Sequence, residues 1–338
     1  MPQYGQGIVP APGPIAAELT AVVRRAFMPR VYVQLWKAAP LMACLLSSAQ
    51  TATGGLSPIT APIQGNPMVA GQWVDYSGAF QQPGTMPGIQ NAEFNLKAFC
   101  TPIPFLGFEG LVQVDYSIVP LIDARMNDAT NVSIDAFATV LYNNVANTMQ
   151  MIGLPAAIDD GTFAATYGGI TRAQNQFWKS TYVHNAGNVP PTRNLTVQYI
   201  GQVTKTTGEM PTIGLCGFGT WTMLGQDFLT QERYNINPSE RLEASAGFIG
   251  HSSFQALDIA GIPVYADPYC PEGVLYLINT NYLSLYLHER AAFTFTGFES
   301  TLPNNQFGWL GAILSLLELV DVKPKAHGKF DGLQFLPI

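Results

Sequence analysis

The sequence predicts an α+β chain, and three stretches carry that prediction. Residues 57–105 read as an extended, Pro-punctuated hairpin, residues 108–152 mainly as helix, and residues 194–280 as alternating helix and strand. At 338 residues the chain is too long for one simple core and short for three independent domains.

Residues 1–14 hold four prolines and three glycines, so an extended arm is expected there. Leu19, Val22, Val23 and Phe27 then recur at helical spacing, and Met28-Pro29 ends that helix. A second short helix is expected over 40–50, stopped by TATGG. In 57–105, Pro-Gly occurs twice in QQPGTMPG, which marks the turn of the hairpin. Ala92, Phe94, Leu96, Ala98 and Cys100 alternate with Glu93, Asn95 and Lys97, placing one apolar face along the second strand. A two-stranded hairpin is marginal in water, so this one must lie on its own body or on a neighbour.

Ile134, Phe137, Leu141, Val145, Met149 and Ile152 form a single apolar stripe at helical spacing. Asn131 or Ser133 can cap its start, Gly153 followed by Leu154-Pro155 stops it, and Pro120 should kink the helix upstream. YGGITRAQNQFWKS (167–180) follows. Gly168 and Gly169 allow a sharp turn, Phe177 and Trp178 pin the loop, and Arg172 suits a carboxylate or carbonyl partner. Contact within one subunit and contact between subunits are both open for these residues.

Further on, TRNLTVQYIGQVTK reads as a helix ending at Gly208, and TIGLCGF as a short buried strand. Trp221, Leu224 and Phe228 share one helix face, and Asn237, Pro238 and Glu240 make a sound helix start. GIPVYADP, GVLYLINT and AAFTFTGF read as strands, whereas LGAILSLLELV is ambiguous on periodicity.

Hydrophobic residues make up 47% of the chain and charged residues only 12%, which suggests much surface that ends against other protein. The net charge of −7 argues against a general nucleic-acid binder. The first 57 residues differ, with Arg24, Arg25, Arg30 and Lys37 against Glu18 alone. That arm could lie near an anion, and a solvated basic helix face is the alternative. Four distant cysteines fit reduced, mostly buried thiols. No signal peptide is visible, and the apolar run 309–320 is too short for a bilayer and carries Glu318. A soluble, non-secreted protein is expected.

Catalytic patterns are near misses. GHSSF (250–254) has Phe254 where a nucleophile elbow needs glycine, and GLCGFG (214–219) has its glycines in the wrong order for a dinucleotide fingerprint. The four histidines are scattered. No enzyme activity, metal or cofactor is expected.

The order of parts, a flexible arm, a long hairpin, a spine helix, a Gly-Gly-Ile-x-Arg turn before a Trp, an α/β unit and a returning strand, resembles the major capsid protein of tailed double-stranded-DNA bacteriophages. The likeness is best in YGGITRAQNQFWKS, in residues 246–285 with Gly261-x-Pro263-Val264, Asp267-Pro268 and Leu277-Ile278-Asn279-Thr280, and in ELVDVKPKAHGKFDGL. The resemblance implies a Hong Kong 97-like fold, with an N-terminal arm at 1–56 and an E-loop at 57–106. It implies a peripheral domain at 107–193 and 286–338 around an axial domain at 194–285. It favours a strand for 311–323, and bending at 52–66 and 81–88. It implies self-assembly into hexamers and pentamers of an icosahedral virion head around double-stranded DNA. Scaffolding, portal and decoration proteins are the implied partners, and no membrane. The resemblance implies Trp73, Tyr76, Phe80, Phe94, Arg172, Phe177 and Trp178 as candidate contacts between subunits, and Arg24, Arg25 and Arg30 as candidate DNA-facing residues on the inner surface. Some relatives cross-link subunits through an E-loop lysine, and Lys97 is the only lysine in this one. An encapsulin-type shell is the nearer alternative, and an α/β hydrolase using Ser252 or Ser253 the distant one.

Overall fold

A computed structural model describes residues 39–53, 58–66, 73, 76, 88–106, 118–143, 149–228, 256–301 and 308–337. The arm and helix expected before residue 39, the helix start at Asn237 and the GHSSF stretch lie outside the described residues.

The chain begins with α1 (Pro40–Ser47), β1 (Gln50–Ala52), and the antiparallel pair β2 (Ile59–Gln64) and β3 (Ile89–Phe94). Next come β4 (Lys97–Leu106), α2 (Ile118–Asn143), the one-turn α3 (Leu154–Ala157) and two short strands, β5 (Thr166–Tyr167) and β6 (Ile170–Thr171). β7 (Thr181–Val183), α4 (Arg193–Thr207), β8 (Ile213–Cys216) and α5 (Phe218–Phe228) lead to β9 (Ala256–Ile259) and β10 (Ile262–Ala266). The chain closes through β11 (Leu275–Ile278), β12 (Leu283–His288), β13 (Thr294–Phe295), β14 (Glu299–Ser300), β15 (Gly308–Asp321) and β16 (Gly328–Phe330).

Two six-stranded sheets organise these elements. The first is built on β15, the stretch that periodicity left ambiguous. β4 pairs along one edge of it, from Lys97 opposite Leu317 to Leu106 opposite Gly308. β12, β13 and β14 take the other edge in succession. A strand fits because Ile313 and Leu317 are buried while Leu310 and Leu314, on the opposite face, are exposed. The second sheet runs β7-β16-β11-β8-β10-β9. It takes β7 and β16 from outside 194–285, and residue 285 itself falls inside β12. α4 packs Tyr199, Ile200 and Val203 into a core with Leu224, Val264 and Phe330.

The helix after the hairpin differs from the expectation. It is continuous from Ile118, with Pro120 in its first turn, where a missing N–H costs no helical hydrogen bond. Ser133 is therefore not a cap. It lies mid-helix, bonds back to Ala129 O at 2.8 Å, and meets Thr101 Oγ1 at 2.8 Å on β4. Ile134, Phe137 and Leu141 are buried as the stripe requires, but Met149 sits in a turn and is 83% exposed. The second hairpin strand differs as well. Ala92 and Phe94 point inward, but after Asn95-Leu96 the phase flips, so Thr101 and Ile103 are buried and Ala98 and Cys100 exposed. The flip occurs because β3 and β4 belong to different sheets, and two residues between them reset the alternation. Cys100 is consequently not a buried thiol. AAFTFTGF contributes only the two-residue β13.

Candidate functional site

The YGGITR turn is a tight hairpin. β5 and β6 pair across Gly168 and Gly169, whose φ values of +55° and +78° are the left-handed pair that a two-residue turn needs. A Cβ on Gly168 would lie 2.8 Å from Phe94 Cζ, and its carbonyl accepts the Glu93 N–H at 3.0 Å. The turn is thus the seat on which the β2–β3 hairpin rests. Phe177 secures the same seat, because its ring fills the space a Cβ on Gly65 would need, just beyond β2. Gln90 adds a bond from its side-chain amide to Asn175 Oδ1 at 3.3 Å.

Arg172 holds this seat from below. It donates to the carbonyls of Trp178 (3.1 Å), Ala164 (3.1 Å) and Ala157 (2.7 Å), and its Nη1 lies 3.5 Å from Asp159 Oδ2. Asp159 Oδ2 in turn accepts three backbone N–H groups, from Gly161, Phe163 and Ala164. The guanidinium also lies over the Tyr167 ring at 5.1 Å. Trp178 donates its indole N–H to Tyr167 O at 2.9 Å. Phe94, Arg172 and Trp178 are each buried within the chain, so their side chains have no surface left for a neighbour. Those three expected contacts between subunits are corrected to contacts within one. Phe177 is half-buried in the same seat.

Beyond the paired strands the hairpin carries Trp73 and Tyr76, which are 103% and 111% exposed. Phe80, Arg24, Arg25 and Arg30 lie outside the described residues.

The outer face of β4 and β15 is the second notable surface. Leu310 faces Pro104, Ala312 faces Pro102, Leu314 faces Cys100 and Leu316 faces Ala98. Six of these eight residues are exposed, two are half-buried, and none is charged. From Ala98 to Pro104 the stripe runs about 20 Å at ordinary strand rise. A face this apolar, left open to water, is what an interaction surface requires.

Lys97, at the first residue of β4, acts electrostatically on Glu318 of β15. Glu318 is buried, accepts the N–H groups of Ile152 (2.7 Å) and Leu319 (3.2 Å), and leaves Oε2 without a hydrogen bond. Burial pushes its carboxyl up to about 7. GLCGFG is the join from β8 to α5, where Glu272 accepts the N–H groups of Gly219 (3.1 Å) and Thr220 (3.2 Å). A carboxylate of the chain itself thus occupies the anion position at that helix start. Sequence reading missed Glu272, because its partner lies 53 residues away. Among the described residues, no group of three or more His, Cys, Asp or Glu could hold a metal, and no helix is long and apolar enough to cross a membrane.

No protein-family model and no curated protein matches the chain. Solved structures do. A chain of the cyanophage A-1(L) capsid asymmetric unit superposes with a TM-score of 0.64 at 16% identity, over 88% of this chain and 93% of that one. A chain from the capsid of the native GTA particle gives 0.57 at 11% identity, covering 86% and 89%. A chain of Mycobacterium phage Bobi gives 0.50 at 17% identity, covering 85% and 89%. The fold is therefore that of these capsid chains, the Hong Kong 97-like α+β fold.

Proposed function

We propose that this chain is the major capsid protein of a tailed bacteriophage, a structural subunit that assembles into hexamers and pentamers of an icosahedral head. The observation that carries this reading is the shared fold with the cyanophage capsid chain over 88% of the length. In this reading 1–56 is the N-terminal arm, 57–106 the E-loop, 194–285 the axial domain, and the remainder the peripheral domain. The role is structural, and the partners beyond other copies are scaffolding, portal and decoration proteins, with packaged double-stranded DNA against the inner surface.

The arrangement supports a division of labour within the E-loop. Its base is fixed to its own subunit by Phe94, Gly168, Phe177 and Arg172, so the strands leave the body in a defined direction. Its far part presents Trp73 and Tyr76 to a neighbour. The uncharged outer face of β4 and β15 is the matching surface on that neighbour, since apolar burial drives association without needing charge pairs. Each contact is small, and holding several at once makes the shell stable. Head-to-tail contacts of this kind close into rings when the rotation allows it.

Sedimentation velocity, with negative-stain images of the fastest species, tests the reading on the chain alone and then with its neighbouring genes. Closed shells or five- and six-fold rings are expected, containing DNA rather than an enzyme cargo when made in an infected host. A monomer under both conditions would overturn the reading.

A further inference from the structure

The two sheets meet where β15 ends and β16 begins, and His327 stands at that joint. Its imidazole is fully buried. Nδ1 accepts the backbone N–H of Asn279, 3.0 Å away, one residue past β11. An amide N–H can only donate, so the ring proton is on Nε2. That nitrogen faces Asp321 Oδ1 at 3.2 Å, at the last residue of β15. Asp321 Oδ1 also accepts the Lys323 N–H at 2.9 Å, and the Asp321 N–H donates to the Tyr167 hydroxyl at 2.9 Å. The ring thus joins β15 of the first sheet to the ends of β11 and β16 in the second.

We infer that His327 is a proton-operated clasp between the two sheets, closed by the neutral imidazole and opened by a second ring proton. A proton on Nδ1 would set one N–H against another across 3.0 Å. Either the ring turns or Asn279 withdraws, and a buried N–H then loses its acceptor. Asn279 is well placed to transmit the change, because its side chain bonds Met210 O at 3.3 Å and its neighbour Ile278 ends β11.

Charged groups stand around the joint on several elements. Asp321 of β15 faces the ring itself, and Tyr167, which accepts the Asp321 N–H, is flanked in turn by Glu318 and by Arg172 with its partner Asp159. Asp321 Oδ2 and Asp159 Oδ1 are both buried without a hydrogen bond. Of the cations near the joint, Lys325 lies two residues from His327 in the same turn, and Lys323 and Lys329 are engaged elsewhere. Lys323 is held at 2.9 Å by Glu209, and Lys329 lies over the Phe163 and Tyr182 rings at 4.4 and 4.5 Å. α4 reaches this turn through the Thr206 hydroxyl, 3.4 Å from Lys325 O, while its Lys205 is exposed. From β7, the Thr181 N–H binds the His327 carbonyl at 3.1 Å. Asp321 is the acid that touches the ring.

His327→Gln provides the test, since the amide can accept from Asn279 and donate to Asp321 but cannot gain a proton. Hydrogen exchange of the full-length chain is followed in the peptides holding Asn279 and Gly328. Wild type and variant are labelled side by side at pH 8 and pH 5, so that intrinsic exchange chemistry cancels. Equal protection at pH 8 is expected, with wild type alone losing at least tenfold at pH 5. Equal protection of the two at pH 5 would overturn the clasp. Should the variant not fold, slow deuterium exchange at the imidazole carbon of wild type decides the matter. A His327 that stays neutral from pH 8 to pH 5 also overturns it, whether or not the chain forms shells.

Discussion

Tyr142 on α2 donates its hydroxyl to Asp267 at 2.9 Å, and both side chains are buried although 125 residues separate them. Asp267 follows β10, an inner strand of the second sheet, so the bond fastens the long helix α2 to the end of that strand. A second bond of opposite sense lies beside it, with the Tyr269 hydroxyl 2.6 Å from Asp135 on α2. Burial raises the Asp267 carboxyl above its ordinary range, and the Tyr142 hydroxyl lowers it in part.

Tyr142→Phe removes the donor and leaves the buried carboxyl with one hydrogen bond fewer. The expected loss is about 1–3 kcal/mol of subunit stability. Tyr269→Phe, at an exposed bond, should cost less than about 1 kcal/mol. Guanidinium unfolding of both variants checks the ranking. The double variant Tyr142→Phe with Asp267→Asn should cost less than the two single losses combined, because both singles remove the same hydrogen bond.

The two glycines of the β5–β6 turn separate backbone strain from crowding. At Gly169, with φ +78° and nothing within 4 Å, alanine meets only the strain of a left-handed backbone, about 1 kcal/mol. At Gly168 alanine meets the same strain and also Phe94 Cζ at 2.8 Å and Ala92 Cβ at 3.1 Å. Gly168→Ala should therefore lose about twice as much or more, and it should loosen the hairpin base. Thermal unfolding of the two variants, with exchange protection at Glu93, reads both effects.

Local chemistry made much of this structure legible. The Gly-Gly turn, the helix ending at Gly208, the buried strands β8, β10 and β11 and the stripe of Ile134, Phe137 and Leu141 all follow from patterns within a dozen residues. What sequence could not settle depends on partners far along the chain. The strand state of LGAILSLLELV rests on β4, two hundred residues earlier, and the phase flip at Asn95-Leu96 rests on which sheet each strand joins. Arg172 was recognisable as a residue seeking carbonyls or a carboxylate. Its burial within one subunit was not, because the loop it clasps closes only in three dimensions.

Glu318 sets a pH dependence with a definite sign. Its carboxyl is raised from 4.5 to about 7, chiefly by burial, so the folded chain holds that proton more tightly than the unfolded one. Its contribution is full below the ordinary carboxylate range and is lost as pH rises toward 7, by on the order of 2–3 kcal/mol. Glu318→Gln should remove that slope while keeping an acceptor for Ile152 and Leu319. Unfolding midpoints of both chains from pH 4.5 to 8 test it, and parallel curves would exclude Glu318 as the cause. A His327 clasp carries the opposite sign, weakening as pH falls, so the two single variants separate the contributions.

The last prediction uses a thiol the chain already has. Cys100 lies exposed in the middle of the outer face of β4 and β15, opposite Leu314. If that face receives the far part of a neighbour's hairpin, cysteines at Trp73 or Tyr76 come within reach of it. A disulfide forms only where the two Cα atoms lie within about 7 Å, so trapping reports geometry. Oxidised shells of Trp73→Cys or Tyr76→Cys should give a ladder of linked subunits on non-reducing gels, and Cys100→Ser should abolish it. Shells that form without a ladder in either variant would place the hairpin elsewhere while leaving the capsid reading intact. Because the hairpin base is fixed by Phe177 and Gly168, loosening it with Gly168→Ala should also weaken the ladder. A ladder unchanged by that variant would mean that the far part finds its neighbour without guidance from the seat.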